Sequence, residues 1–166
     1  MRAIFHADKK WGIGKNNGLM FSLPKDMQFF RETTTGKVVV MGLNTLRSFP
    51  LGKPLKNRVN VVLSPEKVEG EVVTVHSLGE LFAEIKKYPP EDVFIIGGAS
   101  VYRALLPYCS EVLVTKVDAD GGAEVFVPDL DADKNFTLVY ESEPLLDNGY
   151  TIRFCTYRNE HIETNT

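Results

Sequence analysis

One segment of the chain places an acidic side chain among large apolar residues. In GLMFSLPKDMQFFRETT, residues 18–34, Pro24 suits the first turn of a helix, where its missing N–H costs nothing. Asp26 then shares a helical face with Phe29 and Phe30. We expect both phenylalanines and Met27 to face the core. A carboxylate on this face needs hydrogen-bond donors, because burying it alone is costly.

Two interpretations of Asp26 stay open from the pattern alone. In the first, the carboxylate caps the N-terminus of its own helix or lies at the edge and reaches solvent; in the second, it is partly buried and pairs with a ligand. A flat heterocycle with adjacent ring N–H and amino groups offers two parallel donors, which fit one carboxylate. Phe30 and Met27 would then be the walls of an apolar slot.

Two strand ends followed by glycine form a second candidate site. FIIGGASVY places Gly97 and Gly98 between a strand and a helix, and VVVMGLNTLRSF does the same with Gly42, with Thr45 close behind. Glycine lets a backbone approach a ligand closely, and helix N-termini offer free N–H groups to an anion. Turn geometry explains each junction equally well, but two together suit a dinucleotide pyrophosphate. The common G-x-G-x-x-G fingerprint is absent.

The elements that must position these residues alternate along the chain. Strands are predicted at AIF, KVVVMG, RVNVVLS, EVVTV, DVFIIGG and EVLVTKV, and helices after Pro24 and at SLGELFAEIKKY and SVYRALLPY. A long loop is predicted from Asp8 to Ser22. Continuous apolar strands separated by helices are typical of a mainly parallel sheet covered on both faces.

The C-terminal part has a different pattern. FTLVYES, the turn DNG and the alternating YTIRFCTY predict an antiparallel hairpin at the sheet edge. We therefore predict an α/β fold with one domain over residues 1–158, in which helices flank a mainly parallel central sheet that ends in a C-terminal antiparallel hairpin. Residues 159–166 are predicted to be a polar tail that frays.

Composition limits the functional classes. The chain has 166 residues, 43% of them hydrophobic and 25% charged, which suits one globular domain. A net charge of -3 without a concentrated basic stretch argues against nucleic-acid binding. Cys109 and Cys155 have no spacing for a metal site or a disulfide scaffold, which favours a reducing compartment. We expect a cytoplasmic monomer with no metal and no membrane partner.

Four motifs resemble the dihydrofolate reductases of the bacterial chromosomal type in order and spacing. They are WGIGKNNGLMFSLPKDMQFFRETT, VVVMGLNTLRSFP, LKNRVNVVLS and VFIIGGASVYRALLP, and VTKVDADGGAEVFVPD with the terminal hairpin extends the resemblance over nearly the whole chain. The resemblance implies NADPH-dependent reduction of 7,8-dihydrofolate to 5,6,7,8-tetrahydrofolate, in support of one-carbon metabolism, and inhibition by antifolates. Hydride would pass from nicotinamide C4 to pterin C6, with a water delivering the proton to N5.

The resemblance assigns the substrate pocket residue by residue. Asp26 would be a catalytic residue and bind the pterin N–H and 2-amino group. Phe21, where the family usually has tryptophan, would be the other catalytic-site residue and form an aromatic wall beside the pterin. Arg58 would pair with the glutamate α-carboxylate of folate. Carbonyls at Ile4 and Ile96 would face the 4-amino group of antifolates. The other predicted pocket residues are His6, which replaces a small residue, Met27, Phe30, Phe49, Leu55 and Thr115, whose hydroxyl would hold a water.

The resemblance also implies a cofactor site. The loop from Lys9 to Leu23 matches a lid over the nicotinamide, and Glu124 stands where the family usually has an aspartate that hydrogen-bonds this loop. Gly97–Gly98 matches a cis peptide. The predicted cofactor residues are Ala7, Ile13, Gly14, Asn17, Gly18, Leu19, Gly42, Leu43, Asn44, Thr45, Leu63, Ser64, Pro65, His76, Gly97, Gly98, Ala99, Ser100, Val101 and Tyr102.

Departures from the family concentrate at the adenosine end of that site. Leu43 stands where arginine is usual, and Pro65 and Ser100 replace common donors to the 2′-phosphate. This leaves Asn44, Ser64, Lys67 and His76 as possible donors, so NADPH is expected with a weaker preference over NADH.

Two alternatives compete with this interpretation. The pyrimidine reductase of riboflavin biosynthesis shares the architecture, but neither Asp26 in a Leu-Pro-x-Asp context nor Arg58 is expected in it. The second alternative is a binding or regulatory protein that has lost turnover. The altered phosphate contacts leave this alternative open, whereas Asp26 and Gly97–Gly98 argue against it.

Overall fold

A computed structural model describes residues 1–16 and 18–164, and within them one nine-stranded sheet organises the chain. Its parallel strands are β1 (Arg2–Ala7), β3 (Val38–Gly42), β4 (Val59–Leu63), β5 (Val73–Val75), β6 (Val93–Gly97) and β7 (Glu111–Val117), in the spatial order β7-β1-β6-β3-β4-β5. The predicted mainly parallel α/β sheet is confirmed.

Four helices connect or cover these strands. They are α1 (Pro24–Thr34), α2 (Leu43–Ser48), α3 (Leu78–Ile85) and α4 (Ala99–Leu105). Alternate residues of β3 enter different hydrophobic clusters: Val38 and Val40 pack in the larger one, and Val39 and Met41 in a second one. Because side chains alternate along a strand, both faces of the sheet are buried.

The C-terminal strands are antiparallel, as predicted, but they pair differently. The hairpin turn at Asn148 and Gly149, both with positive φ, joins β10 (Leu145–Asp147) to β11 (Tyr150–Asn159). The predicted first strand, β9 (Phe136–Glu141), instead pairs with the far half of β11, whose other edge lies on β7. Pro144 between β9 and β10 lacks the N–H that a continuous strand needs.

The predicted loop between residues 8 and 22 contains a strand. Residues Gly12–Gly14 form β2, which pairs antiparallel with β8 (Val125–Phe126) in a small second sheet. Two glycines carry no β-propensity, and the partner lies more than a hundred residues away, so the local sequence gave no signal.

The chain end is attached more firmly than expected. Strand β11 runs through Asn159, whose side-chain amide donates to the carbonyls of Pro107 and Cys109. The backbone N–H groups of Glu160 and Glu163 donate to Asn135 and Pro107. Fraying is therefore the wrong expectation for residues 159–163. Among the helices of residues 1–16 and 18–164, none has the length and apolar character needed to cross a membrane.

Candidate active site

Helix α1 turns Asp26, rather than its apolar residues, toward the protein. Asp26 is 9% exposed and Thr34 is fully buried, and these two are the buried residues of α1. Met27 is 50% exposed, and Phe29 and Phe30 are only partly buried. The expectation that Met27 faces the core is therefore wrong, because the contacts of Asp26 fix which side of the helix points inward.

The Asp26 carboxylate is held by two neighbouring strands. The Thr115 hydroxyl on β7 donates to Oδ1 at 2.6 Å, and His6 Nδ1 on β1 lies 3.3 Å from Oδ2. His6 and Thr115 are direct partners in the parallel pairing of β1 and β7, so they project from the same face. A buried carboxylate is tolerated here because both oxygens face polar groups.

A different carboxylate caps the helix. The N-cap residue, which precedes α1, is Leu23, and its side chain has no oxygen that could accept a hydrogen bond. Asp147 of β10 instead accepts the backbone N–H groups of Lys25 and Asp26, at 3.2 and 3.1 Å. The capping interpretation of Asp26 is therefore wrong. The side-chain oxygens of Asp26 therefore face β1 and β7 and are available to a ligand that binds beside these strands.

Phe21 closes one side of the Asp26 region. It is buried, with its ring centroid 6.0 Å from that of His6 and 4.8 Å from that of Tyr150. The carbonyl of Ile4, two residues before His6, accepts a hydrogen bond from the Tyr102 hydroxyl at 2.8 Å.

The side chain of Arg58 lies at the C-terminal end of α1. Arg58 Nη1 donates to the Thr34 hydroxyl at 3.0 Å and Nε donates to the Lys56 carbonyl at 2.9 Å. Burial and the neighbouring positive charge of Arg31 lower the pKa of Arg58. Phe49 and Leu55 belong to the second hydrophobic cluster. Arg31 was not among the residues predicted from the sequence, although it lies three residues before Thr34 on the same helical face.

The two glycine junctions meet in space. A Cβ added at Gly42 would lie 3.2 Å from Val101 Cγ2, and one added at Gly97 would lie 3.3 Å from Thr45 Oγ1. Gly97 has φ of 132°, which side-chain-bearing residues rarely adopt, and the Gly97–Gly98 bond is cis. The backbone is therefore bare where β3 and β6 end side by side.

Four of the predicted adenosine-end residues line two cavities, and Asn44, Pro65 and Ser100 line neither. Leu43, Ser64 and Lys67 line one of about 250 Å³, together with Arg47, which was not predicted from the sequence. His76 lines the other, of about 290 Å³, while its Nδ1 lies 2.9 Å from the Ser64 carbonyl. Arg47 follows Leu43 by four residues, so helical spacing could have indicated their shared face.

The lid segment is tied to a second loop. Asn16 donates its backbone N–H to Glu124 Oε1 at 2.7 Å, as the resemblance implied. The buried carboxylate of Asp8 accepts N–H groups from Lys10, Gly12 and Gly121. Leu19 is 64% exposed, whereas Asn17 lies outside the described residues.

The remaining predicted positions lie at the ends of the same strands and helices. Ala7 ends β1, Ile13 and Gly14 lie in β2, Leu63 ends β4 ahead of Pro65, and Ile96 precedes Gly97 at the end of β6. Gly18 bridges to Lys15, Asn44 lies in α2, and Gly98 is the N-cap of α4, which begins with Ala99 and Ser100. Within the part of the chain that the structure describes, no group of three acidic, histidine or cysteine side chains is arranged to hold a metal ion.

Comparison with known proteins gives consistent results. The sequence profile of the dihydrofolate reductase family matches residues 1–159. The dihydrofolate reductase of Enterococcus faecium is 38% identical over 158 residues, or 92% of each chain, and that of Bacillus subtilis strain 168 is 32% identical over 162 residues, covering 95% of this chain and 94% of the other. A solved dihydrofolate reductase from Enterococcus faecalis, in complex with NADP(H) and RAB-propyl, superimposes with a TM-score of 0.81 at 30% identity and 95% coverage of both chains.

Proposed function

The chain belongs to the dihydrofolate reductase family and is an NADPH-dependent oxidoreductase, and we propose that it reduces 7,8-dihydrofolate to 5,6,7,8-tetrahydrofolate through Asp26. Hydride is transferred to pterin C6, and a water delivers a proton to N5. The observation that carries this proposal is the buried Asp26 carboxylate, because contacts within the protein fix both its backbone and its side chain.

The two ends of α1 match the two ends of the substrate. Asp26 and Thr34 are eight residues apart, so Asp26 and the Arg58 group bound to Thr34 are separated by about 12 Å along the helix axis. Dihydrofolate carries a flat ring with adjacent N–H and amino donors at one end and carboxylates at the other. Asp26 binds the ring in a bidentate manner, and Arg58 binds the α-carboxylate.

Arg58 has donors left for this carboxylate. Its guanidinium carries five N–H groups, of which Thr34 and Lys56 accept two. Arg31 adds positive charge beside it, and the lowered pKa of Arg58 reflects that repulsion together with burial. An anion between these arginines relieves the repulsion.

The residues around Asp26 orient the ring and exclude water. Thr115 holds Oδ1 in place, and Phe21 supplies an apolar wall. Asp26 polarises the ring through its N–H and 2-amino groups, and a proton reaches N5 through a water rather than from the carboxylate directly. Most of the catalytic effect is then orientation and electrostatics.

The bare backbone at Gly42 and Gly97 fits a dinucleotide. A Cβ at Gly42 would crowd Val101 of α4, and one at Gly97 would crowd Thr45 of α2, so the glycines let both helices begin close to the strand ends, where open α/β sheets bind their ligands. NADPH, when bound, supplies the hydride. The lid segment, held by Glu124 and Asp8, covers this region and limits the access of water.

The cavity shared by Leu43, Ser64, Lys67 and Arg47 takes the 2′-phosphate. Lys67 and Arg47 supply positive charge that Leu43 cannot, although Glu66 and Glu69 in the same lining oppose it. We expect NADPH to be preferred over NADH, and Arg47→Ala with Lys67→Ala to reduce that preference by raising the KM for NADPH alone.

The reaction is expected in a reducing compartment. Cys109 and Cys155 are free and buried, which suits the cytoplasm, where we place the protein as a monomer that acts on a small molecule.

The test is the loss of nicotinamide absorbance with dihydrofolate, with NADPH and NADH compared side by side. Asp26→Asn should lower the rate of hydride transfer at neutral pH by about 100-fold or more, with an unchanged circular dichroism spectrum. Asp118→Asn removes an equal but exposed charge and serves as the matched control. Near-normal turnover by folded Asp26→Asn would overturn the assigned role, and no turnover by the folded wild-type protein would overturn the function.

A further inference from the structure

His6 is a polar residue among apolar neighbours in β1. It lies in β1 between Phe5 and Ala7, is 8% exposed, and stands opposite Thr115 in the β1–β7 pairing. Both side chains reach the same carboxylate, Thr115 at Oδ1 and His6 at Oδ2 of Asp26. Asp26 is therefore held between two adjacent strands rather than by Thr115 alone.

The two nitrogens of His6 have different surroundings. Nδ1 faces Oδ2 of Asp26 at 3.3 Å, and a carboxylate only accepts hydrogen bonds, so Nδ1 carries a proton. Nε2 is buried and has no hydrogen-bond partner among residues 1–16 and 18–164. Phe21, the nearest ring, offers it none.

A buried imidazole nitrogen of this kind needs a partner. Unpaired polar groups in protein interiors are rare and destabilising. In the tautomer that has its proton on Nδ1, the nitrogen Nε2 carries a lone pair and can accept a hydrogen bond from a donor beside Asp26. Amino and ring N–H groups are the donors that the heterocycle of the proposed substrate brings to this place.

We propose that His6 is a positioning and selectivity residue of the heterocycle pocket. Its Nδ1–H orients Oδ2 of Asp26, and its Nε2 accepts a hydrogen bond from a donor on the bound ring, directly or through one water. The proposal rests on the proposed function, since it names a second acceptor for the ring that Asp26 binds. Ligands with adjacent amino and N–H groups are favoured, because both acceptors are then satisfied.

The groups that face the His6–Asp26 pair come from β7, β10 and the segment before α1. The Thr115 hydroxyl of β7 contacts Asp26, Phe21 packs against the imidazole, and Asp147 of β10 binds the backbone of the turn that carries Asp26. Apart from His6, no basic side chain of the described residues is in hydrogen-bond or ion-pair contact with the Asp26 side chain. Within that part of the chain, His6 is thus the basic side chain placed to orient it.

Three substitutions separate the two roles of His6. The amide of asparagine reaches the place of Nδ1, so His6→Asn keeps a donor for Asp26 and removes Nε2. The amide of glutamine reaches the place of Nε2, and His6→Ala removes both groups. His161→Asn, at an exposed histidine near the chain end, is the matched control.

Binding is measured by calorimetry with dihydrofolate and with a 2,4-diaminopyrimidine. We expect His6→Ala to weaken both by about tenfold or more, because a hydrogen bond to a charged group is lost. His6→Asn should recover part of this loss, and KM should rise more than kcat falls. In the Asp26→Asn background, His6→Ala should add little further loss, since the two residues act on the same ligand edge.

A purely structural role predicts a different set of results. The proposal is overturned if His6→Ala lowers ligand affinity by the same factor in wild type and in Asp26→Asn. It is also overturned if His6→Asn binds no better than His6→Ala, or if His6→Ala leaves ligand affinity unchanged. Retained turnover with any of these results would leave the proposed function intact. Absence of turnover by the folded wild-type protein would overturn both the proposed function and this proposal.

The wild-type protein provides a test that does not depend on the folding of a variant. The chain has three histidines, so nitrogen-15 labelling of histidine gives few signals, and His6→Gln assigns those of His6. We expect a protonated Nδ1 and an unprotonated Nε2, whose resonance shifts when a ligand binds. A protonated Nε2 in the free protein, or no shift on binding, would overturn the proposal.

Discussion

Asp147 holds the helix turn that presents Asp26, although the two residues are 121 positions apart. Its Oδ2 accepts the backbone N–H of Asp26 at 3.1 Å, and its Oδ1 accepts that of Lys25 at 3.2 Å. The helix start thus receives from the C-terminal hairpin the negative charge and acceptors that Leu23 cannot supply. The side chain of Asp26 is consequently left free for the pocket.

We expect Asp147→Ala to lower the free energy of unfolding by about 1 kcal/mol, as the loss of a helix cap does. It should also weaken dihydrofolate binding, because the Asp26 turn is less firmly held. Asp147→Asn retains one acceptor oxygen and should lose less. Urea denaturation and calorimetric titration measure the two effects, and equal stability and affinity of wild type and Asp147→Ala would contradict the capping role.

Arg58→Leu should weaken folate and dihydrofolate binding by about tenfold or more, since a charge-assisted hydrogen bond is lost. A pterin without the glutamate tail should bind with nearly unchanged affinity, because its contacts lie at the other end of α1. Arg31→Leu should also weaken only the ligands that carry the glutamate tail, but by a smaller factor. Titrations of both ligands test this, and equal losses for the two would refute the carboxylate role.

Glu124→Ala should loosen the lid, because the carboxylate accepts the backbone N–H of Asn16 at 2.7 Å. The contact is exposed, so we expect less than about 0.5 kcal/mol of lost stability. The KM for NADPH should rise and single-turnover hydride transfer should slow, as measured by stopped flow. Glu124→Gln keeps an acceptor and should behave nearly as wild type, whereas alanine and wild type behaving alike would argue against this contact controlling the lid.

Asp131 should contribute stability that depends on pH. Burial alone would raise the pKa of Asp131, but hydrogen bonds from Lys116 and Tyr157 and the charge of Lys116 hold that pKa below its ordinary value of 3.8. A lowered pKa in the folded state gives stability that is fully present above the unfolded pKa and is lost as pH falls through the folded one.

We therefore expect Asp131→Asn to be about 1 kcal/mol less stable than wild type at neutral pH, a modest value because the pair is partly exposed. The difference should shrink as the pH is lowered below about 4. Thermal unfolding across this range measures it, with the exposed Asp118→Asn as control. A difference that stays constant down to low pH would show that the ion pair does not account for it.

Much of the architecture could be predicted because its signals are local. Apolar strands ending in glycine and helices with apolar periodicity appeared as expected at Val38–Gly42, Val93–Gly97 and Leu78–Ile85. The short strands β2, β8 and β10 were missed, since two or three residues carry too little pattern to predict an element. Met27 was wrongly placed in the core, because a helix with Asp26 and aromatic residues on neighbouring faces does not reveal which face its surroundings accept.

The sequence by itself determined that α1 begins at Pro24, that Asp26 lies in its first turn, and that bare glycines end two parallel strands. These features follow from backbone chemistry within a few residues. Only the tertiary structure decided that His6, Thr115 and Asp147, which are 20, 89 and 121 positions from Asp26, meet at that residue. Strand pairing brings them together, and the pairing depends on the burial of both sheet faces at once, which no local stretch of sequence encodes.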